Sequence, residues 1–144
     1  MNLRIVKEQL DQFKSGAMHM RSKEMCGMLT GPRSFDDVAI VTTIHGIRNI
    51  AIGPSYRFKL DPQEYYDVLK TTDWIDDNSL ATFSGIIHSH PWGPSTPSPV
   101  DRQAAKDGQV SEGVYIIYNG RTNTFNFFYL KDTVFHKIKD VEYI

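Results

Sequence analysis

Residues 80–101, LATFSGIIHSHPWGPSTPSPVD, constrain the fold more than any other stretch of the chain. The first half is rich in β-branched and aromatic residues and reads as a strand that runs straight into His88 and His90. It has to stop there, because Pro91, Gly93, Pro94 and Pro97 follow, and such a run sustains neither a ladder nor a helix. Ser98, Pro99 and Asp101 then form a helix start: a capping hydroxyl, a proline at the first helical position and an acidic residue against the helix dipole. A strand, a stiff reversal and a helix are thereby fixed in order, and a helix must pack on a sheet.

The flanking sequence extends this pattern. Val6, Leu10, Phe13, Ala17 and Met20 recur at spacings of four and three, which predicts an amphipathic helix over 4–20 whose apolar face rests on a sheet. EMCGMLTG and VAIVTTI read as two strands joined by a turn through PRSFDD, with Glu24 at the start of the first. YRFKL reads as a brief strand, and Asp61 with Pro62 opens a second helix that runs to about residue 72. GVYIIYN and TFNFFYL flank the turn NGRTN as an antiparallel hairpin, and TVFHKIK supplies a final strand. The expected order is α-β-β-β-α-β-α-β-β-β: an α/β, α+β-like layered domain with a mixed, mainly antiparallel sheet flanked by helices, and one domain over residues 1–144.

Composition narrows the function. A net charge of -1 with scattered Lys and Arg leaves no footprint for nucleic acid, and no apolar run approaches the length of a membrane span. Cys26 is the single cysteine, so no intrachain disulfide can form. MNLRIVKEQLDQF lacks the apolar core of a signal peptide, and a cytoplasmic location is the expectation.

Side chains two apart on a strand share a face, so His88 and His90 point one way while Ser89 points the other. Two imidazoles on one face can share an ion, and Asp101 at the helix start can return a carboxylate to them, giving a His₂Asp site with room for water at a fourth position. Taken alone, such a pair of histidines on a strand is more often ordinary than metal-binding, and Ser98 and Asp101 are explained by simple helix capping.

The combination goes further. Glu24 in SKEMCGMLTG, His88-Ser89-His90, seven residues, Ser98, two residues and Asp101 together resemble the E…HxHx₇SxxD signature of the JAMM metalloproteases, also called the MPN+ or JAB domain. The resemblance extends through RNIAIGPSYRFKLDPQEYYD and so covers nearly the whole chain. It implies a JAB/MPN fold of cytidine-deaminase-like architecture and one Zn²⁺ held by His88, His90 and Asp101. It also implies Glu24 as the base that activates water and Ser98 as an oxyanion donor. Ser22 stands where many relatives have proline, and the large inserts of eukaryotic deubiquitinating relatives have no room, so the resemblance is to the compact, prokaryotic or phage-type form. The activity so implied is hydrolysis of an amide or isopeptide bond at the tail of a ubiquitin-like or sulfur-carrier protein. The alternatives are a phage-tail or cell-wall-associated peptidase acting on a structural peptide and a non-catalytic MPN scaffold. The oligomeric state is left open, a homodimer included.

Trp92, beside the metal motif, is a candidate to pin a substrate tail or to pack the proline-rich turn. Cys26 within MCGML reads as a small core residue rather than a thiol nucleophile. His45 and His136 have no ligand-spaced partner and read as solvated or structural, and His19, near a helix end, complements the helix dipole. Asn49 stands where the family often has asparagine, to orient the site or bond a bulge.

Overall fold

The computed structural model describes residues 1–20, 22–34, 37–53 and 57–144. The elements are β1 (Asn2–Ile5), α1 (Lys7–His19), β2 (Cys26–Pro32), β3 (Val38–Val41), β4 (Thr43–Ile47), α2 (Pro62–Leu69), β5 (Ala81–His90), α3 (Pro99–Lys106), β6 (Gly113–Asn119), β7 (Thr124–Lys131), β8 (Val134–Lys137) and β9 (Asp140–Tyr143). A six-stranded sheet runs in the order β4-β2-β5-β6-β7-β8, and a small sheet in the order β3-β1-β9. In the large sheet β5 and β6 pair in parallel and the other neighbours antiparallel, so the mixed, mainly antiparallel architecture stands.

The large sheet is covered on both faces, which is why its central strands are apolar without alternation; every residue of β6 is buried. One face, with Leu29, Ile87 and Ile116, packs against Leu10, Phe13 and Ala17 of α1 and Leu3 and Ile5 of β1. The other, with Met28, Ile86, Tyr115 and Ile117, packs against Leu69 and Tyr65 of α2. His88 and His90 follow Ile86 in register and so belong to this second face.

Four expectations are corrected. The helix begins at Lys7, not residue 4, because Leu3 and Ile5, both fully buried, are taken into β1 between β3 and β9. VAIVTTI is two strands: at Thr42 the chain leaves the small sheet for the large one, the Thr42 amide donating to Thr30 O at 3.0 Å. Of YRFKL, Tyr56 lies outside the described residues, and the rest makes only the bridge Asn49–Leu60. The C-terminal strand β9 was not expected; it pairs in parallel with β1, Asn2 opposite Asp140. The hairpin β6–β7 and both N-capped helix starts form as the sequence predicts, the second helix ending at Leu69 rather than about residue 72.

A register shift between Leu29 and Thr30 puts one extra residue, Ser84, into β5 before the histidine segment. Gly85 follows at φ +152°, where a Cβ would fall 1.8 Å from Val114 O. Only glycine lets β5 lie this close to β6.

Candidate functional site

The reversal after β5 is braced at several points. His90 O accepts the amides of Gly93 at 3.1 Å and Gly120 at 2.9 Å. Asn119 Nδ2 donates to Ser95 Oγ at 2.9 Å. His90 Nδ1 donates to Pro94 O at 2.7 Å, since a carbonyl can only accept, and this bond fixes the ring with Nε2 turned inward. Ser98 caps α3 through a reciprocal box: its Oγ accepts from the Asp101 amide at 3.1 Å, and Asp101 Oδ2 accepts from the Ser98 amide at 2.8 Å. The box aims the Asp101 carboxylate back at the strand end.

Glu24, His88, His90 and Asp101 thereby meet, each no more than 5% exposed. The two Nε2 atoms are 2.9 Å apart. Asp101 sets Oδ2 3.0 Å from His90 Nε2 and Oδ1 3.3 Å from His88 Nε2. Glu24 Oε1 is 3.9 Å from His88 Nε2 and has no hydrogen-bond partner among the described residues. Among the described residues, Glu24, His88 and His90 offer ligand atoms that all lie within 4.8 Å of one another. Donors about 2.0–2.1 Å from one tetrahedral ion stand roughly 3.3 Å apart; the two Nε2 atoms fall near that spacing, and Asp101 approaches each histidine through a different carboxylate oxygen. Buried nitrogens and oxygens converging with an orphaned carboxylate oxygen beside them make a donor set fit for a cation.

The electrostatics follow from burial. Desolvation pushes the Glu24 carboxyl up to about 8, the His90 charge opposing this and Asp101 adding to it. Burial lowers His88. It also acts to lower His90, but bonds to Asp101 and Pro94 and the charges of Asp101 and Glu24 outweigh it and leave this imidazole raised. Burial works against ionised Asp101 as well, yet the histidines and the Ser98 amide hold it well below the usual carboxylate range.

Ser98 is half-buried beside Asp101, and its oxygen accepts the Asp101 amide, a bond that does not use its own hydrogen. Trp92 is 68% exposed. Cys26 is a core residue: it pairs with His88 across the strands, donates Sγ–H to Ile47 O at 3.3 Å, and burial with nearby carboxylates pushes its thiol up to about 12. His19 bonds Ser15 O and His45 bonds Thr30 Oγ1, both away from the site. Two walls of the site escaped the sequence: the rings of Phe58, 4.5 Å from that of His88, and Tyr115, 5.0 Å from it. The only signal for Tyr115 is its register opposite Ile86 on β6.

A cleft of about 860 Å³ opens onto Asp101, walled by Ile50, Phe58 and Leu60 on one side and Val100 and Ala104 of α3 on the other. Trp92 is not among its lining residues.

Residues 6–131 match the family of prokaryotic homologues of the JAB domain. A curated relative named desampylase, from Haloferax volcanii, is 32% identical over 96 residues, which cover 67% of this chain and 64% of that protein. The match therefore spans a little under two thirds of the relative's length. Among solved structures, a protein from Desulfitobacterium hafniense superposes with a TM-score of 0.78 at 23% identity, covering 99% of this chain and 92% of that one. A JAB1/MPN domain protein from Archaeoglobus fulgidus superposes at 0.57 with 14% identity, covering 99% of each chain. At these identities the solved structures share the fold.

Proposed function

The chain belongs to the prokaryotic homologues of the JAB domain, and we propose that it is a zinc-dependent metallopeptidase. Its substrate would be an amide or isopeptide bond at the C-terminal tail of a ubiquitin-like or sulfur-carrier protein. The observation that carries this reading is the buried convergence of two histidines and Asp101 with Glu24 set just outside them, its Oε1 3.9 Å from His88 Nε2. In this reading His88, His90 and Asp101 would hold one Zn²⁺, and Glu24, whose Oε1 lies further from His88 Nε2 than Asp101 Oδ1 does, is kept for proton transfer. When bound, zinc supplies Lewis acidity toward water and toward the scissile carbonyl oxygen.

Within this proposal each side chain has a distinct task. Glu24 takes the proton of the attacking water and passes it to the departing amine, its Oε1 lying buried beside the histidines with no hydrogen-bond partner among the described residues to compete for it. Ser98 turns its free O–H toward the carbonyl oxygen as negative charge develops there. Pro94 holds the His90 ring in orientation. The cleft lined by Ile50, Phe58 and Leu60 and by Val100 and Ala104 of α3 is open to an extended tail, and Trp92, exposed but outside that lining, is free to meet a more distant part of the substrate. The name of the haloarchaeal relative, desampylase, supports a ubiquitin-like modifier as the substrate. A cytoplasmic setting and a single catalytic unit over residues 1–144 are part of the same proposal.

The test is incubation of the zinc-loaded and chelator-stripped protein with conjugates of ubiquitin-like proteins, alongside elemental analysis. Cleavage that requires zinc, with one ion per chain, is the expected result. Undiminished cleavage after complete metal removal would overturn the proposal, as would inert loaded protein.

A further inference from the structure

Glu24 precedes the sheet: β2 begins at Cys26, so no ladder carries its peptide. Nor, among the described residues, does a hydrogen bond aim Oε1, which is buried. The position of this carboxylate therefore depends on how its backbone is held, and two side chains grip that backbone. On one side the Met25 amide donates to Ser89 Oγ at 2.8 Å, while the Ser89 amide returns a bond to Met25 O at 2.9 Å. On the other, Asn49 Nδ2 donates to Glu24 O at 2.9 Å and to Arg57 O at 3.1 Å. Asn49 Oδ1 meanwhile accepts the amides of Ala51 at 3.0 Å and Lys59 at 2.9 Å. Both donors and both acceptor positions of this side chain are in use.

We infer that Ser89 and Asn49 are positioning residues for Glu24, a two-point clamp that ties it to the histidine strand on one side and to the cleft wall on the other. The inference rests on the reading of Glu24 as the proton carrier. The clamp makes one unit of three parts that must be in register for hydrolysis: the strand bearing His88 and His90, the base, and the segment around Ala51, Arg57 and Lys59 that borders the tail's cleft. Misplacing a reacting group by about 1 Å can cost on the order of 10²-fold in rate.

Three variants test the clamp. Ser89→Ala removes the acceptor for the Met25 amide, Ser89→Thr keeps it, and Asn49→Asp keeps the bonds to Ala51 and Lys59 but loses the donor to Glu24 O. Ser89→Ala and Asn49→Asp are expected to retain one zinc per chain and to lose kcat on the order of 10²-fold with KM little changed, and Ser89→Thr to restore most of the loss. A second readout needs no substrate: amide exchange at Met25 and Cys26 in zinc-loaded Asn49→Asp should accelerate while that at Ile116 and Ile117 stays as in the wild type. Unchanged exchange at Met25, or a rise in KM with kcat preserved, would overturn the inference and leave Asn49 as a support of the loop alone. Should the wild type cleave no conjugate, the proposed function fails, and the exchange measurement still decides the clamp.

Discussion

The carboxyl of Glu24 makes a stability prediction that is separable from catalysis. In the metal-free protein burial raises it from an ordinary 4.5 to about 8. Between those values the folded chain holds a proton that the unfolded chain has lost, so stability falls as pH rises. The contribution is complete below pH 4.5 and gone above about 8. At about 1.36 kcal/mol per decade of proton affinity, the loss is roughly 3 kcal/mol by pH 7 and at most about 5 kcal/mol above pH 8. Glu24→Gln keeps the size of the side chain and cannot ionise. Urea unfolding of both proteins in chelator, from pH 5 to pH 9, should give curves that diverge steadily, the variant becoming the more stable as pH rises. Saturating zinc should flatten the wild-type slope, because a cation beside the carboxylate favours its charged form. Two parallel curves in chelator would refute the reasoning, since Glu24 would then ionise in the fold without penalty.

Four further outcomes are expected. Asp101→Asn should abolish stoichiometric zinc in elemental analysis yet fold, because the amide oxygen can still accept from the Ser98 amide; retained zinc would remove Asp101 from the ligand set. Zinc binding should weaken as pH falls and release protons, since the raised His90 and Glu24 must give theirs up, and calorimetry in two buffers of different ionisation heat reads that release. Ser98→Ala should cost about 1 kcal/mol of stability from the lost cap and about 10²–10³-fold in kcat, while Ser98→Thr should keep most of both; an unimpaired Ser98→Ala would exclude the donor role. Cys26→Ala should keep zinc-dependent hydrolysis, and loss of activity on alkylation of Cys26 in the folded protein would revive a thiol role, against a thiol that is buried and pushed up to about 12.

How much of this was legible in the sequence depended on the range of the interaction. The pairing of His88 with His90 follows from the two-residue strand period, and the return of Asp101 from its helix start, so both could be read from adjacent residues. β1 could not: Val6 falls in phase with Leu10, which extends the helical pattern backward, while the pairing of Asn2 with Asp140 spans the whole chain. Phe58 and Tyr115 reach the His88 ring from elements far apart in sequence, and nothing local announces either contact. Ser89 shows where the line between the two falls. The period that aims the flanking histidines at one face of β5 aims Ser89 at the other, which by sequence alone makes it a spectator. In the fold that opposite side is where the Met25 amide docks. The alternation that builds the donor set thus also places a hydroxyl where it can hold the segment bearing Glu24, and a small hydroxyl residue between the two histidines is the one local sign of it.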